Sequence, residues 1–94
     1  MEWDNCFENV KIWLMYYAYI IELSNGRLYT GYSSNLRKRI NNHQKGNVNQ
    51  TRKYRPVKLL FYAAFEQKSL ALDFEKYLKT SSGFAFRNKR LIKP

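Results

Sequence analysis

The run from Tyr16 to Leu23, YYAYIIEL, constrains the chain more than any other stretch. Aromatic and β-branched residues crowd it at a density that suits a pleated strand. Ser24-Asn25-Gly26 follows, and Arg27 to Tyr32, RLYTGY, then resumes the same character. Two strand-like runs joined by a short segment containing Asn-Gly specify a β-hairpin. A lone hairpin is marginal in water, so the rest of the chain must cover it.

Ser33-Ser34-Asn35 supplies N-cap candidates for a helix through about Lys45, stopped at Gly46, with Leu36, Ile40 and His43 along one face. The polar stretch from Asn47 ends in Pro56, which favours an extended chain leading into a third strand, Val57 to Phe65. Ser69 can cap a second helix, Leu70 to about Thr80, and Ser81-Ser82-Gly83 breaks it. The basic stretch from Phe84 to Lys93 reads as a last short helix. The order β-β-α-β-α-(α) predicts a small α/β sandwich, with a three-stranded, mostly antiparallel sheet flanked by helices. A chain of 94 residues holds one such domain, placed at residues 15–94. Residues 1–14, which include Trp3, Phe7 and Trp13, form an N-terminal arm, a short helix or an irregular segment, that the fold is expected not to need.

Charge narrows the partners. Seventeen Lys and Arg against seven Asp and Glu leave a net charge of +10, a field that draws polyanions. Solubility and an anionic membrane surface are the blander uses of such charge; nucleic acid is the favoured one. Arg52, Lys53, Arg55, Lys58, Arg87, Lys89 and Arg90 are read as phosphate contacts. One cysteine, Cys6, excludes an internal disulfide and a cysteine-built zinc site, which suits a reducing cytoplasm. The uncharged run Ile12 to Ile21 is about half of a membrane span, and the acidic first residues do not resemble a signal peptide. No membrane partner is expected.

On the second helix, Ala71, Leu72, Phe74 and Leu78 form an apolar arc, and Glu75 falls inside it. A carboxylate there is either paired with a cation, an arginine being the ordinary choice, or bound to a metal. Arg39 and His43 are i, i+4 neighbours on the sheet side of the first helix. His43 alone would be a structural hydrogen-bonding group, and Arg39 alone could close on Glu75. The hairpin adds tyrosines at positions 17, 19, 29 and 32, so hydroxyls, a guanidinium, an imidazole and a carboxylate can converge on one face.

Together, Tyr17-Ala18-Tyr19, Tyr29-Thr30-Gly31, Asn35-Leu36, Arg39, His43, and Glu75 with Lys79 resemble the GIY-YIG nuclease superfamily. The similarity is to small single-domain members like the N-terminal nuclease module of the excinuclease, and it covers about residues 15–92. It implies hydrolysis of a DNA phosphodiester assisted by one divalent cation, Mg²⁺ or Mn²⁺. Carried over residue by residue, it makes Tyr19 and Tyr29 the motif tyrosines, Arg39 the arginine and Glu75 the metal ligand. Gly31 and Lys79 are supporting residues, and Asn88 stands for a late asparagine. The chain departs from the family pattern at Tyr17, Ala18 and Thr30, and Tyr32 stands where several members have a lysine. Arg39 and a Glu75-bound cation would offset charge on the phosphate oxygens. Tyr29 would take the proton of water with a cation beside it, because a tyrosine hydroxyl of ordinary pKa, about 10, is a poor base. His43 would assist that transfer and Tyr19 would orient the phosphate.

A site shared by Tyr19 and Tyr29 also predicts the hairpin register. A two-residue Asn25-Gly26 turn would put the two tyrosines on opposite faces. A three-residue loop with Gly26 left-handed pairs Ile21 with Tyr29 and unites them. The competing function is a non-catalytic nucleic-acid-binding module on the same fold; a protein-interaction domain would leave the charge unexplained. With no second domain for targeting, selectivity is expected to be weak or to depend on a protein partner.

Overall fold

The hairpin forms with the wider loop. Strands β1 (Tyr16–Glu22) and β2 (Leu28–Ser33) pair antiparallel, with Ile21 opposite Tyr29 and Tyr19 opposite Gly31. Leu23 N donates to Arg27 O at 2.8 Å, Gly26 N donates to Leu23 O at 2.9 Å, and Gly26 sits at φ +85°. Both tyrosines therefore share a face. This structure, a computed structural model, describes residues 15–92, so the expectations for residues 1–14 and for the last two positions lie outside the described residues.

Strand β3 (Lys58–Phe65) pairs antiparallel with the other edge of β1, giving the sheet order β2-β1-β3. As the central strand, β1 is covered on both faces, so consecutive residues Ala18, Tyr19, Ile20 and Ile21 are all fully buried. That double burial is why its sequence runs apolar instead of alternating. Between Ile20 and Ile21 the pairing to β3 shifts by one residue, which keeps Leu59 opposite Ile21.

Helix α1 (Leu36–Lys45) covers the tyrosine face. Its Asn35 cap accepts from Lys38 N at 3.1 Å, and Gly46 ends it at φ +83°. Leu36 and Ile40 pack with Tyr29 on the cluster of Tyr19, Ile21, Leu23 and Val57. The connection after α1 is tied down by side chains. Gln44 donates to Val57 O at 2.8 Å and accepts from Val57 N at 3.0 Å, and a 3₁₀ turn, Arg52–Tyr54, precedes Pro56.

Helix α2 (Lys68–Leu78) covers the other face, with Ala71 and Leu78 buried and Phe74 against Phe61 and Phe65. Its start differs from the expectation. Gln67 is the last extended residue leaving β3, so the helix begins at Lys68, and Ser69 lies within the first turn instead of capping it. Ser81-Ser82-Gly83 is not a break either, but the first turn of helix α3 (Ser81–Phe86), capped by Thr80 Oγ1, which accepts from Gly83 N at 3.0 Å. Gly83 serves close approach: a Cβ there would overlap the Tyr77 carbonyl and lie 2.7 Å from Leu78 Cα. The helical path continues as a π-helical turn, Arg87–Leu91, in place of a separate short helix from Phe84 to Lys93. The architecture is thus an open three-stranded antiparallel sheet with three helices in the order β-β-α-β-α-α. No helix among the described residues is long and apolar enough to cross a membrane.

Candidate active site

Register and helix phase bring four of the five expected catalytic side chains together. The Tyr19 ring lies across Gly31 of the neighbouring strand: a Cβ on residue 31 would stand 2.9 Å from Tyr19 Cε1 and overlap Cζ and Oη. Only a glycine leaves that passage open. From α1, Arg39 Nε donates to the Tyr19 hydroxyl at 3.2 Å, and His43 Nε2 lies 2.8 Å from the same oxygen. The Tyr29 ring meets the His43 ring edge-on, with centroids 5.3 Å apart. Behind them, His43 Nδ1 is 2.8 Å from Thr51 Oγ1.

Burial and the guanidinium set the electrostatics. Burial pushes the Tyr19 hydroxyl pKa up, against the bond from Arg39, and the Glu75 carboxylate adds to the rise. The bond to Tyr19 holds the Arg39 guanidinium above its ordinary range although burial opposes it. His43 is lowered to about 4, chiefly by burial and then by the positive charge of Arg39. It is neutral at pH 7, with both ring nitrogens engaged inside the protein. Its hydrogen bonds therefore link His43 to the site through Tyr19, while Tyr29 touches it by ring packing.

That depression has a direct consequence for stability. The unfolded chain takes up a proton on His43 near pH 6.5, whereas the folded chain resists until about pH 4. The neutral-histidine contribution is therefore complete above pH 6.5 and is lost as pH falls through about 4, a loss of up to about 3 kcal/mol. Denaturant unfolding at pH 7 and pH 4.5 should show this loss in the native sequence and a smaller one in His43→Gln. Equal pH dependence of the two proteins would contradict it.

The fifth side chain arrives from the opposite layer. Glu75 on α2 is paired with Lys79 Nζ at 2.9 Å, and its side chain is 17% exposed. The expected ion-pair partner, an arginine, is replaced by this i, i+4 lysine, while Arg39 is committed to Tyr19. Among the described residues no group of three or more His, Cys, Asp or Glu side chains could hold a metal ion. A lone carboxylate still suits Mg²⁺, which keeps several waters and takes one or two carboxylates beside substrate phosphates. Glu75 Oε1 has no hydrogen-bond partner among the described residues.

The remaining expected residues divide into two groups. Arg52 and Lys53 are exposed on the 3₁₀ turn directly after Thr51. Arg55 has structural work there: its Nε donates to Arg52 O at 2.9 Å and its Nη1 to Gln44 O at 3.3 Å, so its guanidinium caps α1. Lys58 and Asn88 line a separate groove of about 630 Å³ at the hairpin-loop end, with Glu22, Gly26 and Leu28. Asn88 accepts from Arg87 Nε at 3.1 Å, and Arg87 lies over the Phe84 ring. Lys89 and Arg90 are exposed beside them. Asn88 is thus not brought to the tyrosine cluster. Thr51, in contrast, is part of the cluster without any sequence signal to mark it, since nothing in an irregular polar loop distinguishes one threonine as buried.

A family model matches the segment that carries these side chains. Residues 15–90 match the model described as the GIY-YIG catalytic domain. The chain belongs to the GIY-YIG family. A UPF0213 protein of Streptococcus agalactiae serotype V is 42% identical over 64 residues, covering 67% of this chain and 73% of that relative. A UPF0213 protein of Staphylococcus saprophyticus is 40% identical over 77 residues, covering 81% and 89%. The solution NMR structure of a UPF0213 protein from Bacillus halodurans is 35% identical, covers 69% of this chain and 70% of that one, and has a TM-score of 0.46. The family places the cluster in a nuclease-type domain.

Proposed function

We propose that the chain is a divalent-metal-dependent DNA endonuclease. The observation that carries this reading is the Tyr19 hydroxyl held between Arg39 Nε and His43 Nε2 on the face that also presents Tyr29. Hydrolysis of a phosphodiester gathers negative charge on non-bridging oxygens, and a fixed guanidinium stabilises that charge without reorganising. Arg39 has this fixity, because Tyr19 holds its Nε and leaves its terminal nitrogens for a phosphate. Glu75 and water would hold Mg²⁺ or Mn²⁺, which when bound supplies Lewis-acid charge at the phosphate. Tyr29, half-buried beside Arg39, would relay the proton of the attacking water, passing its own hydroxyl proton on to solvent as it takes the new one. Tyr19 orients the phosphate. Arg52 and Lys53 extend the positive surface from the cluster along a DNA backbone, and the charged π-helical turn offers a second contact. Substrate selection would fall to a protein partner.

The test separates turnover from binding. The full chain should nick supercoiled DNA with Mg²⁺ or Mn²⁺ and stop when the cation is chelated. Arg39→Ala should lower turnover about 100-fold or more while leaving affinity within a few-fold. Removing Arg52 and Lys53 should instead weaken binding and flatten its salt dependence by about 0.9 in slope for each lost contact. Comparable losses of affinity and turnover for Arg39→Ala, with a reduced salt slope, would make Arg39 a binding residue. DNA binding without nicking under any cation would establish the non-catalytic module.

A further inference from the structure

Behind the tyrosines lies a line of three groups that the proposed reaction does not fully use: Tyr19, His43 and Thr51, all fully buried. Two hydrogen bonds of 2.8 Å join them, Tyr19 Oη to His43 Nε2 and His43 Nδ1 to Thr51 Oγ1. Neutral imidazole carries one proton and each hydroxyl carries one, so three protons are shared over two links. One proton is left over, and it stands at one end of the line or the other. If the ring proton were on Nδ1, it would occupy the Thr51 oxygen and leave the Thr51 proton over. Thr51 Oγ1 has no second partner among the described residues, and a sealed hydroxyl proton without an acceptor is costly. If the ring proton is on Nε2, Thr51 donates to Nδ1, His43 donates to Tyr19, and the leftover proton belongs to Tyr19. That end of the line adjoins Arg39 and Tyr29, which are only half-buried. Tyr19 is itself fully buried, but these two neighbours are not. A phosphate seated against them is therefore the acceptor that a small shift of either side chain would bring to this end of the line. Thr51 has no such neighbour among its hydrogen-bond partners.

We propose that Thr51 is a positioning residue that donates to His43 Nδ1, fixes the Nε2-protonated tautomer, and so turns the Tyr19 hydroxyl proton toward the substrate phosphate. The inference rests on the nuclease reading for its last step and deepens the role of Tyr19 in it. Tyr19 Oη then accepts from both Arg39 and His43, an arrangement that makes its own proton a better donor. Thr51 touches no substrate. It acts through His43, and only its hydroxyl takes part.

The chain has a single histidine, so its imidazole nitrogen resonances belong to His43 without ambiguity. In ¹⁵N-labelled full-length protein at pH 7, without DNA, the spectrum should show a protonated Nε2 and an unprotonated, hydrogen-bonded Nδ1. Thr51→Ser should keep that pattern. Thr51→Val, nearly the same shape, should move the Nδ1 resonance toward the value of a nitrogen without a donor. With DNA, Thr51→Val should lower kcat about tenfold with KM nearly unchanged, and Thr51→Ser should stay within about threefold of the native rate. A protonated Nδ1 in the native protein overturns the proposal, as does a folded Thr51→Val that turns over at the native rate. Absence of cleavage by the native protein would overturn the nuclease reading, and the tautomer would still be decided by the spectrum.

Discussion

Gly31→Ala is expected to reduce DNA cleavage at least about 100-fold and to cost about 1–3 kcal/mol of stability, although residue 31 carries no functional group. The added methyl carbon would stand 2.9 Å from Tyr19 Cε1 and overlap the end of the ring. Tyr19 has no exposed surface and so nowhere nearby to go. Its hydroxyl would leave Arg39 Nε and His43 Nε2, stranding a buried imidazole nitrogen and freeing the guanidinium. DNA affinity, which the proposed function assigns to exposed cations, should stay within a few-fold. Nicking rates, binding and denaturant midpoints measured together check the three statements. A Gly31→Ala protein with native turnover would show that Tyr19 is not held by this passage.

The sheet was legible because its signals are local. The aromatic and β-branched run from Tyr16 to Leu23 and the glycine at position 26 specify a hairpin whatever surrounds it. Asn35 and Gly46 mark α1 by the same local chemistry. The second half was harder, since its punctuation depends on packing. Ser69 has the composition of a cap, but the extended Gln67 already holds the cap position and the helix begins at Lys68. Gly83 has the composition of a helix breaker, yet it is a helical contact residue, because α3 returns so closely on the end of α2 that a side chain would strike the Tyr77 carbonyl. No propensity carries that information.

The site divides in the same way. Arg39 and His43 could be placed on one face from their spacing, and the three-residue loop put Tyr19 and Tyr29 together. Thr51 could not be found, because an irregular loop has no period that separates buried from exposed positions. Arg55 has the charge expected of a phosphate contact, but its geometry serves the end of α1. Asn88 fits a late asparagine by its place in the sequence, and the π-helical turn carries it to the hairpin end.

Glu75 bears the central claim, and Glu75→Gln isolates it. Glutamine keeps the size of the side chain on α2 and removes its charge. The Lys79 pair that is lost is an i, i+4 contact with a largely exposed lysine, 54% accessible, and pairs of that kind contribute about 0.3–0.5 kcal/mol. The fold should therefore survive while the carboxylate that would hold the cation is gone. The decisive measurement is single-turnover nicking of supercoiled DNA by native protein and Glu75→Gln across a Mg²⁺ and Mn²⁺ titration, with DNA affinity measured on the same preparations. The account predicts cation-dependent nicking by the native chain and at least about a 100-fold lower rate for Glu75→Gln, with affinity within about threefold. A Glu75→Gln protein that nicks at the native rate with the native cation dependence would contradict it.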